Sequence, residues 1–187
     1  NSTALMIASC EGHIEIVNML IDAESDINAK DIDDFTSLFW AIHKKQTEVI
    51  RILIDNNAEI NNVDKYGNTT LMTAVKNRDI DTINLLLQEG ADINAYNNKR
   101  ETALLLAVEN GYNDLIKLLL NQGANPNPEK REKTTPLSLA ASKGNNKAIL
   151  LLLDYKANID VIQDNGLDSL KIAAYYNRIE TALILLK

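Results

Sequence analysis

The sequence is poor in cysteine, histidine and aromatic residues, and these shortages exclude several kinds of site. A single cysteine, Cys10, among 187 residues rules out an internal disulfide. The two histidines, His13 and His43, lie at unrelated positions and suggest no catalytic triad. The chain has no phosphate-binding glycine loop, no cysteine and histidine spacing typical of a metal site, and no nucleophile motif. We therefore predict a non-catalytic chain that needs neither metal nor cofactor.

Long apolar runs and blocks of like charge are also missing. The longest apolar stretches span about six residues, whereas a transmembrane helix needs ~20. The 19 basic and 26 acidic residues give a formal charge of −7, and no basic stripe with interleaved aromatic residues is present. These features predict no membrane insertion, no binding to nucleic acid, and an intracellular location, most simply the cytoplasm.

What the chain has instead is one short pattern repeated six times. Thr-x-Leu-x-x-Ala recurs every 33 residues, and the last copy keeps the register with Asp168 in place of threonine. The leucine column is Leu5, Leu38, Leu71, Leu104, Leu137 and Leu170, and the alanine column is Ala8, Ala41, Ala74, Ala107, Ala140 and Ala173. Their spacing places both on the same side of a short predicted helix. A constant period without insertions predicts one structural unit stacked on itself.

A second apolar block follows in every copy and predicts a second helix. The blocks span residues 16–21, 49–54, 83–87, 115–120, 149–153 and 182–186. A turn ends each block, with Gly90 or Gly123 as the left-handed residue in two copies and turn-forming asparagine or aspartate after it. Glu24, Asn57 and Lys156 replace the glycine in three other copies, where we expect a small backbone strain.

These stretches resemble the ankyrin repeat. Residues 135–141 and 90–95 are similar to its two signature stretches, and residues 12–17 are similar to a third. The resemblance covers essentially the whole chain and implies an all-α fold, an ankyrin-repeat solenoid of stacked helix-turn-helix units with extended β-turn fingers. It implies a single domain, residues 1–187, with repeats at approximately 1–29, 33–62, 66–95, 99–128, 132–161 and 165–187.

The main departure from the family is the histidine that usually follows the leucine. Its column here is Met6, Phe39, Met72, Leu105, Ser138 and Lys171. That histidine hydrogen-bonds between units, so we expect apolar packing to replace those bonds. The next column contains Trp40 together with aliphatic residues, and this predicts that Trp40 is a core residue.

The turn at residues 126–133 also departs from the pattern. It contains two prolines and five charged residues in place of the usual aspartate and glycine. We expect an extended, solvated segment that is stiff at its start, with a partner contact as the alternative. It is the predicted hinge or protease-sensitive point.

The resemblance implies that the chain binds an unidentified protein or peptide. In this family the partner occupies a concave face made from the tips of the turns and the exposed side of the first helices. These positions vary between copies while the leucine and alanine columns do not, which is typical of a recognition surface. Lysines at three of these positions favour an acidic peptide. The predicted partner-binding residues are Phe35, His43, Lys44, Lys65, Tyr66, Lys76, Tyr96, Lys99, Glu109, Arg131, Lys143, Tyr175 and Tyr176.

Two functions stay open at this point. The chain is either a protein-protein interaction scaffold in its own right or a targeting or regulatory segment of a larger enzyme, effector or channel. Its last predicted helix carries the apolar stripe Ile179, Ala182, Leu183 and Leu186 without a charged residue on it. Because the ends of a stacked array need a polar outer face, we expect either an end-to-end contact through this helix or a longer natural chain.

Overall fold

The computed structural model describes residues 2–187, and these form helices joined by turns. The α-helices of this part of the chain are Ala4–Glu11 (α1), Ile14–Asp22 (α2), Ser37–His43 (α3), Thr47–Asp55 (α4), Thr70–Asn77 (α5), Ile80–Gln88 (α6), Ala103–Glu109 (α7), Asn113–Asn121 (α8), Pro136–Lys143 (α9), Asn146–Asp154 (α10), Ser169–Tyr175 (α11) and Ile179–Leu185 (α12). A short 3-10 helix covers Arg131–Lys133. The predicted all-α class and the two helices of each repeat are confirmed.

Contacts divide the chain into two compact units, Asn1–Asp92 and Ile93–Lys187. In unit 1, α3 packs between α1 and α5, and α2 packs on α4. In unit 2, α9 packs between α7 and α11, and α10 packs between α8 and α12. Each unit therefore has a layer of odd-numbered helices and a layer of even-numbered helices. That residues 1–187 form a single domain stays a prediction.

The residue that opens the pattern caps each first helix. In five copies the threonine hydroxyl accepts a hydrogen bond from the backbone amide three residues later, as Thr36 does from Phe39 at 3.2 Å. In the last copy the Asp168 carboxylate accepts from the Lys171 amide at 2.8 Å, and this bond holds the pKa of Asp168 below its usual value. Aspartate caps a helix as well as threonine does, which explains how the copy keeps its helix without threonine.

The leucine and alanine columns form the core, as predicted. Five of the six leucines are 1% exposed and the alanines are at most 3% exposed; Leu170 is the exception and is half-buried. Four side chains in the histidine column, Met6, Phe39, Met72 and Leu105, are also buried. The prediction of apolar packing is wrong for the other two members of the column. Ser138 is buried but hydrogen-bonded, and Lys171 is exposed.

A recurring set of hydrogen bonds between neighbouring repeats comes from asparagines in the turns that follow the second helices. In each case the side-chain Oδ1 accepts from a backbone amide 31 residues later in the chain. The pairs, at 2.6 to 2.9 Å, are Asn28 with Glu59, Asn61 with Asp92, Asn94 with Asn125, and Asn127 with Asn158. Each bond joins two repeats within one unit.

The turn at residues 126–133 is only partly as predicted. Lys130 has an extended backbone, and residues 131–133 are exposed. Pro128, however, is buried, and the Lys130 Nζ lies 3.9 Å from the Glu101 carboxylate and 3.8 Å from the Glu109 carboxylate. The prediction of a solvated loop is therefore wrong for Pro128 and Lys130, because the first is buried in unit 2 and the second lies beside two carboxylates of unit 2. Protease sensitivity stays a prediction.

The three positions where another residue replaces glycine are left-handed, as expected from their place in the repeat. Their φ angles are 57° at Glu24, 65° at Asn57 and 64° at Lys156. A non-glycine residue in this region costs about 1–2 kcal/mol. At Lys156 the backbone carbonyl accepts a hydrogen bond from Asn127 Nδ2 at 3.3 Å, and this bond does not depend on the lysine side chain.

We expect Lys156→Gly to raise the free energy of unfolding by about 0.5–1 kcal/mol, since glycine relieves the strain at the cost of some backbone entropy. The matched control is Gly123→Lys, at φ 91° in the preceding repeat, where an added Cβ meets no atom within 4 Å. This control should lower stability by a similar amount. Urea denaturation measures both changes, and a glycine variant less stable than the parent chain would contradict the assignment of strain.

Within residues 2–187, every helix is too short or too polar to cross a bilayer.

Candidate functional site

Each finger is the five-residue turn that precedes an odd-numbered helix from α3 onward, and a hydrogen bond within its backbone closes it. The amide of the first residue donates to the carbonyl of the fifth at 2.9 to 3.0 Å, in the pairs Asp31 to Phe35, Asp64 to Asn68, Asn97 to Glu101, Lys130 to Thr134, and Gln163 to Leu167. In the first three fingers the side-chain oxygen of the first residue also accepts from two backbone amides at 2.8 to 3.0 Å. The backbone of these three fingers is therefore fixed before any partner binds.

Asp31 ties the first finger to helix α3 in unit 1. Its Oδ1 accepts from the amides of Asp33 at 2.8 Å and Phe35 at 3.0 Å, and its Oδ2 accepts from the Trp40 indole at 2.9 Å. Partial burial raises the pKa of Asp31, but these hydrogen bonds to the charged form outweigh it and hold the pKa below its usual value. The carboxylate is therefore ionised at neutral pH and fixes the position of the indole.

Trp40 belongs to an aromatic cluster on the surface of unit 1. The Phe35 ring stacks on the Phe39 ring with 4.7 Å between centroids, and it meets the Trp40 ring edge-on at 5.1 Å. His43 lies edge-on to Trp40 at 6.0 Å. Trp40 is half-buried, so the prediction of a core residue is wrong. Its indole N–H needs a partner, and Asp31 provides one near the surface. The structure thus brings Phe35 and His43 into one cluster.

A small cavity of about 160 Å³ lies beside Trp40, with Met6 and Ile7 among its lining residues. Cys10 also lines it, and its thiol donates to Glu11 Oε1 at 3.6 Å. Partial burial and the neighbouring Glu11 carboxylate raise the pKa of the Cys10 thiol. The thiol is therefore protonated at neutral pH, which makes it a poor nucleophile.

In the second finger of unit 1, the predicted residues Lys65 and Tyr66 lie together. Lys65 forms an ion pair with Asp33, and its Nζ is 5.1 Å from the centroid of the Tyr66 ring. The hydrogen bond and charge of Asp33 raise the pKa of Lys65. Lys76 donates to Asn68 Oδ1 at 3.2 Å. The two lysines are exposed but already have partners in the protein, and this reduces the positive charge available to an acidic peptide.

In unit 2 the predicted residues that precede Tyr175 fall into two groups, according to whether the side chain has a charged or aromatic neighbour. Tyr96 is 44% exposed with the Arg100 guanidinium 5.2 Å from its ring centroid, and Glu109 lies near Lys130. The second group has exposed side chains that form no ion pair with any residue the structure describes. Its members are Lys99, Arg131 and Lys143. The structure does not bring these three into contact with one another.

Tyr175 and Tyr176 form an edge-on pair with 5.0 Å between ring centroids, and they are 75% and 52% exposed. They border a groove of about 420 Å³ in unit 2 whose lining includes Ser138 and Gln163. Neither Ser138 nor Gln163 was among the predicted site residues. The sequence did contain a signal for both residues. Ser138 occupies the position where the ankyrin pattern has histidine, and Gln163 occupies the position where the first two fingers begin with aspartate.

The apolar stripe on the last helix is exposed, as the sequence suggests. Ile179, Leu183 and Leu186 are 63%, 58% and 67% exposed. An end-to-end contact through this face stays a prediction. In residues 2–187 no group of three or more histidine, cysteine, aspartate or glutamate side chains is arranged to hold a metal ion.

The family model for ankyrin repeats matches the chain in three overlapping copies, at residues 5–97, 40–130 and 104–187. Together the copies span residues 5–187. A search of curated proteins finds no match. Proteins built from these repeats are typically non-catalytic and generally mediate protein-protein interaction.

Proposed function

Because the chain belongs to the ankyrin repeat family, we propose that it is a non-catalytic scaffold that binds a protein or peptide partner on its concave face. In each unit this face comprises the fingers and the exposed side of the odd-numbered helices. We name it the finger face and define it by the residues predicted from the sequence, together with Trp40. The single observation that carries the proposal is the exposure of four tyrosines there.

These four tyrosines are Tyr66, Tyr96, Tyr175 and Tyr176, which are 44% to 75% exposed. Tyrosine is frequent among the residues that dominate binding energy, because its large ring loses water readily and keeps a polar tip. By contrast, Tyr155, beyond the even-numbered helix α10, is less exposed and donates its hydroxyl to Asn121. The chain thus concentrates its most exposed tyrosines on the finger face.

The rigidity of the first three fingers further supports binding at this face. Each has one backbone hydrogen bond and two side-chain bonds within five residues. Ordering a loop on binding costs free energy, and a loop that is ordered beforehand avoids that cost. We expect the fingers to accept a partner with little backbone movement.

The proposal can be tested by affinity capture from a lysate of the source cells. The bait chains are the parent, a variant with the four tyrosines changed to serine, and a control with Arg51, Lys117, Lys147 and Tyr155 changed to serine. The control residues are exposed and lie on or next to even-numbered helices. We expect the parent and control to retain the same protein, and the tyrosine variant to retain about tenfold less or lower, as for the loss of binding hot spots.

Circular dichroism should show equal helix content for all three chains. Equal capture by the parent and the tyrosine variant would contradict binding at the finger face. Capture lost only in the control would place the site on the layer of even-numbered helices.

A further inference from the structure

The groove beside Tyr175 and Tyr176 has an unusual lining. Ten residues surround about 420 Å³, and none of the ten is charged. They come from the fourth and fifth fingers, from helices α9 and α11, and from Tyr176, which caps α11. In the chain as a whole 24% of residues are charged. A charged side chain that entered this groove would lose water without gaining an opposite charge, which is costly. The lining therefore favours an uncharged occupant.

The hydrogen bonds of Ser138 fix the amide of Gln163 in one orientation. The Ser138 hydroxyl donates to the Thr135 carbonyl at 3.0 Å, so its hydrogen is already used. It can therefore only accept from Gln163 Nε2, which lies 3.0 Å away, and the same nitrogen donates to Thr134 Oγ1 at 3.3 Å. Both hydrogens of the amide are occupied. The Gln163 carbonyl oxygen is left as an acceptor with no partner among the residues that the structure describes.

Asn165 provides the complementary group. Its Oδ1 accepts from the Leu167 amide at 3.0 Å, which fixes the side-chain oxygen toward the backbone of the fifth finger. Its Nδ2 hydrogens have no acceptor within residues 2–187. The hydroxyls of Tyr175 and Tyr176 are further donors at the rim, while Leu139 and Ile172 add apolar surface to the lining. The groove thus offers one fixed acceptor, several donors and an apolar wall.

We propose that this groove binds an uncharged peptide segment that inserts an asparagine or glutamine side chain and places an aromatic or aliphatic residue against the two tyrosines. A primary amide carries both the N–H that the Gln163 carbonyl needs and the carbonyl that the Asn165 amide needs. A purely apolar side chain would bury these groups without partners. The inference rests on the proposed protein-binding function and specifies the chemistry of the partner in unit 2.

A display library of random short peptides, selected on the full chain, tests the proposal. We expect selected peptides to share an asparagine or glutamine beside an aromatic or aliphatic residue, with no charge in that core. Synthetic peptides with the amide changed to aspartate or glutamate should bind about tenfold more weakly or worse, the scale of one lost buried hydrogen bond. Raising the salt concentration should leave the affinity nearly unchanged, because no charge pair is involved.

Two variants of the protein locate the binding. Gln163→Leu removes the fixed acceptor, and Tyr175→Ala removes a ring that is 75% exposed and whose ring contact is with Tyr176. We expect each to weaken binding of the selected peptides about tenfold. The matched control is Tyr155→Ala, which removes an exposed tyrosine outside the groove in the same unit, and it should leave the affinity unchanged. Because Tyr175 is so exposed, its variant stays folded even if Gln163→Leu does not.

The outcomes separate this inference from the general function. Peptides that bind through charge, or that bind all three variants equally, would overturn the groove assignment. If Tyr66→Ser abolishes the binding of those same peptides, the finger face survives as the binding surface and only the groove fails. A library that yields no peptide specific for the folded chain would overturn the groove and count against the finger face as well.

Discussion

Replacing Phe39 with alanine is expected to lower the free energy of unfolding by about 3–5 kcal/mol. The side chain is 2% exposed, fills a position that the family gives to histidine, and stacks on Phe35 at 4.7 Å. Removing it leaves a cavity beneath the aromatic cluster and withdraws the support of the first finger. Chemical denaturation followed by circular dichroism measures the change.

Two controls separate the volume of Phe39 from its ring. Phe39→Leu keeps most of the volume and should cost less than about 1.5 kcal/mol. Phe35→Ala removes the other ring of the stack, but Phe35 is only half-buried, so its loss should cost less than the loss of Phe39. A Phe39→Ala variant within about 1 kcal/mol of the parent would show that the neighbouring repeats close the cavity.

Asp31→Ala is expected to lower the free energy of unfolding by about 2–3 kcal/mol at neutral pH, because three donors lose a charged acceptor at a partly exposed site. Two of these donors are backbone amides of the first finger and the third is the Trp40 indole. Without the carboxylate the finger and helix α3 are no longer joined. We expect the intrinsic fluorescence of Trp40 to shift as well, since the indole loses its hydrogen bond.

The effect of Asp31 should depend on pH in a defined direction. Its pKa is lower in the folded chain than in the unfolded chain, so the unfolded state binds the proton more readily. The stabilisation is therefore fully present above the unfolded value of about 4 and is lost as the pH falls through the lower folded value. Denaturation curves of the parent and the alanine variant should converge on acidification.

Asp31→Asn distinguishes the charge from the hydrogen bonds. Asn97 begins the third finger and its Oδ1 accepts from the Lys99 and Glu101 amides at 2.9 Å, so an asparagine can close this turn. At position 31, however, the amide N–H₂ would face the indole N–H. The variant should lie between parent and alanine in stability, without the acid dependence of Asp31. The matched control is Asp22, which is exposed. Asp22→Ala should change neither the free energy of unfolding nor its dependence on pH. A constant difference between parent and Asp31→Ala across the acid range would contradict the lowered pKa.

The period, the two helices and the buried columns were predictable because each is a local or repeating property. Leu38 and Ala41 are buried for the same reason as their equivalents in the other copies, and the repeated pattern identifies these positions many times over. The left-handed residues that follow the second helices were equally predictable, since their positions follow from the end of each second helix. Leu170 departs from its column, and its half-buried position could not be read from a pattern that treats all copies alike.

Side-chain partners were much less predictable. The position of the Trp40 indole depends on a carboxylate nine residues away, and Lys65 forms its ion pair with Asp33 in the preceding finger. Both contacts join residues from different columns, which an alignment of the copies does not compare. The groove in unit 2 could not be predicted for the same reason. Ser138 and Gln163 lie far apart in the sequence and form their hydrogen bond only in the folded chain.

The asparagine bonds between repeats affect how such a chain can evolve. In each bond one member is a main-chain amide, so only the asparagine is constrained, and the residues that supply the amide here are Glu59, Asp92, Asn125 and Asn158. Any residue except proline can fill that role. A duplicated or exchanged copy can therefore form this bond to its new neighbour without a compensating mutation, and the residue that supplies the amide is left free to diverge.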